Sequence, residues 1–171
     1  MKPLLERLSG RLHALLAAAC LWLLVSSPWV GLYRELTAQA GWVNLAHAGV
    51  GLLTLPLVLV YLRACTQGGL WRTYFPWLAG QWSGIGRDLR GMARGERPMN
   101  EGAGLFAAIE GLLLLALLVT AFTGALWLLL QGGQAAVLLR AVHIVAAQAF
   151  AVTLGAHVLA VSLHLVDLVR G

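Results

Sequence analysis

The sequence predicts an all-α integral membrane protein, a bundle of four transmembrane helices. Three observations carry that expectation. Of 171 residues, 60% are hydrophobic and 11% charged, where a soluble domain carries roughly 25% charged residues. Four apolar runs are each long enough to cross a bilayer, which takes about 20 residues. All five histidines fall in or at the edge of those runs.

The runs are Leu12–Gly31, Val43–Leu62, Gly104–Leu130 and Ala136–Val166. Their Leu- and Ala-rich composition is helical and lacks the alternation of a barrel. Helices also satisfy their own backbone in lipid. Runs three and four exceed the minimum length and should tilt or project. The length suits one domain over residues 1–171, with a loop at about 63–103. The first run follows Lys2, Arg7 and Arg11 like a signal peptide, but no A-x-A-like site follows it, so it reads as a retained helix.

Charge sets the expected orientation. Lys2, Arg7 and Arg11 precede span one. Arg63, Arg72, Arg87, Arg90, Arg94 and Arg97 lie between spans two and three, and Arg170 follows span four. Only Arg34 and Arg140 lie on the opposite side. The positive-inside rule then puts both termini and the middle loop in the cytoplasm. With its basic residues spent on topology, the chain reads as a partner of membrane lipid and not of nucleic acid. In the middle loop, Leu78, Trp82, Ile85 and Leu89 share a helical face, which suits either an interfacial amphipathic helix or a loop with aromatic anchors. Glycines 80, 84 and 86 count against the helix.

The two cysteines, Cys20 and Cys65, form no CxxC or CxxCH motif. Iron–sulfur, zinc and covalent haem attachment are therefore unsupported, and both thiols read as packing residues.

Ionisable groups inside a membrane are costly and mark function by default. His143 and His157 are fourteen residues apart on span four. That spacing returns them to nearly one face, about 21 Å apart along the axis. His13 and His157 each lie about 25 Å from the external end by helix rise. His47 and His143 each lie a few residues inside spans that start outside. Two depth-matched pairs follow: His13 with His157 on the cytoplasmic side, His47 with His143 on the external side. Bis-imidazole ligation across a bundle suits two b haems. Two histidines per depth are few for structural zinc. Small residues, Ala46, Ala48, Gly49 and Gly51 around His47 and Gly155 and Ala156 before His157, leave room for a flat macrocycle or for close helix packing.

Five further polar positions lie within the apolar runs. His164 reads as a haem-propionate contact, a proton carrier, or a headgroup-facing residue. Glu110 reads as a proton donor or a hydrogen-bonded packing residue. Gln148, Thr120 and Thr123 read as interhelical hydrogen-bond groups.

With RLxGRLH opening span one, His47 early in span two, no histidine in span three and HIVAAQAFAVTLGAH in span four, the chain resembles the dihaem cytochrome b subunits. These are the gamma subunit of formate dehydrogenases, the cytochrome b of nickel–iron hydrogenases and bacterial cytochrome b561. The resemblance covers nearly the whole chain. It implies a multi-pass protein of the bacterial inner membrane, with an external haem serving an iron–sulfur or other redox partner subunit and a cytoplasmic haem serving quinone. Primary catalysis would sit on the partner. The family's quinone motif, Asn-x-Gly-Gln-Lys, is matched at Asn100 and Gly102 but not at Ala103 and Gly104. That departure points to a relative serving another enzyme. The alternative is a stand-alone quinone oxidoreductase acting on a small oxidant or reductant such as superoxide.

Overall fold

The structure, a computed structural model, describes residues 2–32, 34–37, 39–95 and 104–170, with residues 2–9, 164 and 166–170 described by backbone. Helix α1 spans Lys2–Ser26 and runs into a 3-10 turn, Ser27–Trp29. Helix α2 spans Trp42–Thr66, with a second 3-10 turn at Gln67–Gly69. Two short helices follow, α3 at Trp71–Tyr74 and α4 at Trp82–Met92. Helix α5 spans Leu105–Leu129 and α6 spans Gln134–Arg170. There is no strand among the described residues.

The four apolar runs are thus four helices, each long and apolar enough to cross a membrane. Two ends differ from the sequence reading. Helix α1 starts at Lys2 and not near Leu12, because Leu4, Leu5 and Leu8 extend good helix formers outward without a breaker. Helix α6 continues to Arg170, beyond the Val166 end of the apolar run. Side chains such as Leu129 and Val152 are 78% and 73% exposed. An apolar surface of this extent needs lipid around it.

The chain divides into two compact units, Met1–Ala64 with Leu117–Gln148, and Cys65–Ala116 with Ala149–Gly171. In the first unit α1 meets α2 at Trp22 and Trp42, whose rings lie 6.1 Å apart, and Leu16 and Cys20 of α1 and Thr54 and Val58 of α2 are buried. Gly51 brings the α2 backbone close to Leu23, whose methyl would lie 3.8 Å from an added Cβ. The loop after α1 is tied to the turn between α5 and α6. Leu36 N–H donates to Gln131 Oε1 at 2.8 Å, and Gly132 N–H donates to the Arg34 carbonyl at 2.8 Å. Gly132 takes a φ of +83° there, a left-handed helix exit that glycine makes without strain. Arg140 Nε donates to the Leu32 carbonyl at 2.8 Å. One of the two basic residues outside the charge pattern thus has a structural use.

In the second unit the segment after α3 folds inward. Phe75 and Pro76 are buried, and Phe75 meets Trp77 edge to face at 5.7 Å. Gly111 of α5 packs directly on the Tyr74 carbonyl. The ambiguous middle loop is resolved as a helix from Trp82. Gly80, at a φ of +70°, turns the chain before it, and Leu78 stays outside it. Asp88 is 6% exposed, and its Oδ2 accepts from the Leu105 N–H at 2.7 Å. It therefore caps the first turn of α5, where backbone donors lack helical partners.

Candidate functional site

His47 and His143 both belong to the first unit and lie within electrostatic range of each other. His47 sits in the second turn of α2, opposite Ser26, the last residue of α1. The buried Ser26 hydroxyl lies 3.3 Å from the Leu23 carbonyl and is hydrogen-bonded to His47 Nδ1 at 2.8 Å. The serine thus engages the Nδ1 side of the ring and not the Nε2 side.

His143 shows the same arrangement with different partners. Its Nδ1 lies 2.9 Å from the Thr120 carbonyl, and a carbonyl only accepts, so this nitrogen carries the proton. The Thr123 hydroxyl, which donates to the Val119 carbonyl at 2.8 Å, lies 3.3 Å from the same Nδ1 and accepts a share of it. A Cβ at Gly124 would stand 3.1 Å from His143 Cε1. Glycine at 124 thus gives the ring its place against α5. Each imidazole thus has its Nδ1 hydrogen-bonded to a neighbouring helix, as ligating histidines usually have their outer nitrogen held by a nearby group.

His13 lies on α1, exposed, with its Nδ1 3.3 Å from the Tyr61 hydroxyl of α2. The rings are 5.9 Å apart and tilted by 45°. His157 lies on α6 in the second unit, half-buried. Gly155, two residues before it, has nothing within 4 Å of an added Cβ, and the same holds for Gly49, two residues after His47. Two residues along a helix is about 200° of rotation, so this open space lies on the faces away from the two rings. A haem brings four equatorial nitrogens of its own, so two imidazoles complete its iron. The residues present fit that group.

The other candidate positions divide. Glu110 lies half-buried on α5. It is within electrostatic range of Tyr74, and so is Cys65. Burial, with Cys65 and Glu110 adding to it, pushes the Tyr74 phenol up to about 12, so it stays protonated across the physiological range. His164 is on α6, but its side chain lies outside the described residues, and so do Asn100 and Gly102. Cys20 and Cys65 are buried free thiols. Among the described residues, no three His, Cys, Asp or Glu side chains gather as a metal cluster.

Sequence reasoning missed Ser26, Tyr61, Tyr74, Asp88 and Gly124. A signal existed for Ser26, a hydroxyl near the end of span one at the expected depth of His47. Thr123 was read only as an interhelical group, and its interhelical partner is the histidine ring itself.

The family described as prokaryotic cytochrome b561 matches residues 5–168. No curated protein and no solved structure matches the chain. The family is one of helical membrane bundles that bind haem b. With the match spanning nearly its whole length, the chain belongs to the prokaryotic cytochrome b561 family and is a bacterial membrane protein that carries electrons on haem b.

Proposed function

We propose that the chain is the membrane-anchoring dihaem subunit of an oxidoreductase complex, moving electrons between an external redox partner subunit and the quinone pool. The observation that carries this reading is that His47 and His143 lie within electrostatic range of each other, each with its Nδ1 hydrogen-bonded to a neighbouring helix. Haem b, when bound, supplies a one-electron couple inside the hydrocarbon. His47 and His143 would hold one such group. His13 and His157, matched in depth by helix rise, would hold the second. A single group is short for a hydrocarbon core of about 30 Å, and two at different depths suit it. The partner would be an iron–sulfur or similar subunit on the external side, with both termini cytoplasmic in the inner membrane.

Asn100 and Gly102 would shape the quinone pocket, and Glu110 and His164 would carry protons to or from it. The nearness of Glu110 to the Tyr74 phenol supports a proton-handling role, since a neutral phenol can pass a hydrogen bond to a carboxylate. Reoxidation of reduced protein by a soluble quinone analogue tests the pocket. In Asn100→Leu and Glu110→Gln proteins that keep their haem, it should slow by about a hundredfold, the lower range for lost proton transfer. Wild-type rates in both would move the quinone elsewhere.

A further inference from the structure

Helix α4 has two opposed faces. At 100° per residue, Trp82, Ile85, Leu89 and Met92 occupy one arc of about 80°. Arg87 and Arg90 lie about 60° apart on the far side, and Arg94 follows in the turn after the helix. Trp82 is 62% exposed, and Leu89 and Met92 are about half exposed. The three arginines are exposed as well. With Ser83 and Gly91 they line a shallow pocket of about 290 Å³. Arg90 Nε donates to the Gly86 carbonyl at 2.9 Å, which holds its guanidinium along the helix.

The position of α4 is constrained independently. Asp88, between the two faces, is turned inward and caps Leu105, the first residue of the membrane-length helix α5. Helix α4 is thereby pinned beside the end of a membrane-spanning segment, where headgroups lie. Its exposed apolar arc would sink toward the acyl chains, and its arginines would meet phosphates. Three guanidinium groups offer forked donors suited to phosphate oxygens.

We propose that this arginine pocket binds the phosphate of an anionic phospholipid headgroup. The place of the pocket beside the start of a membrane-length helix favours a lipid over a free anion, because that is the level at which headgroup phosphates lie. The site is small for a drug-sized ligand, whose pockets run from roughly 300 to 1,000 Å³, and suits a headgroup.

The full haem-loaded chain is incorporated in bilayers of equal phosphatidylglycerol and phosphatidylcholine. It is then re-extracted in mild detergent, and the retained lipid is counted by mass spectrometry. Phosphatidylglycerol should be enriched in the wild type. The enrichment should fall about fivefold with each of R87Q, R90Q and R94Q, and should hold in the control R34Q. Each single variant is scored separately and checked by its haem spectrum, so a triple variant that fails to fold does not end the test. Undiminished enrichment in all three would overturn the proposal. Displacement of the lipid by inorganic phosphate would overturn it too, in favour of a soluble ligand.

Discussion

Replacing His143 with alanine is expected to halve the haem extracted per chain. The ring is held by the Thr120 carbonyl, the Thr123 hydroxyl and the space at Gly124, and no other described group in those positions can supply an imidazole. His47→Ala should give the same loss, because the proposed ligand pair lies within one unit. Ser26→Ala should be milder. It removes only the hydroxyl hydrogen-bonded to His47 Nδ1, and loss of such outer partners typically costs 10- to 100-fold in affinity. Pyridine haemochrome content per chain, with the absorption spectrum of what remains, measures all three. Wild-type haem content in His143→Ala would remove His143 from the ligand set. Equal losses in Ser26→Ala and His47→Ala would make the serine structural for the helix pair and not specific to the ring.

Gly111→Val is expected to disrupt the second unit. Any Cβ at this position runs into the Tyr74 carbonyl and comes within 3.0 Å of the Trp77 ring. The segment cannot easily retreat, since Phe75 and Pro76 behind it are buried. Overpacking in a well-filled interior costs about 1–3 kcal/mol, occasionally more. A backbone collision with buried neighbours belongs at the upper end. Cys65, buried and next to Tyr74, gives the readout. Its reaction with a thiol reagent in mild detergent should accelerate strongly in the variant. Cys20, in the first unit, provides an internal comparison. An unchanged Cys65 rate would show that α5 can move away from the segment at little cost.

The four long helices were legible because membrane burial writes itself as length and apolarity, which no local packing detail can hide. Helix rise, which turns sequence distance into depth, also leads to the proposed pairing of His47 with His143, and the two come within electrostatic range of each other. What sequence could not show was which atoms hold the rings. The partner of His143 is mainly a backbone carbonyl, at Thr120, and a carbonyl leaves no trace in residue identity. Gly124 resembled any other small residue until the ring was seen against it. The middle segment stayed ambiguous because its glycines argue against a helix, while the feature that secures it, Asp88 capping α5, is a contact seventeen residues away in sequence. Arg34 and Arg140 counted as exceptions in the charge pattern, yet Arg140 ties α6 to the loop after α1.

The central claim is that the chain holds two b haems between histidines of its own helices. Haem and protein are quantified together on the purified wild-type chain, and the spin state of the iron is read by electron paramagnetic resonance. Two non-covalent haems per chain, both low-spin with bis-imidazole character, is the predicted result. A ratio near one, or high-spin iron in either centre, would contradict it.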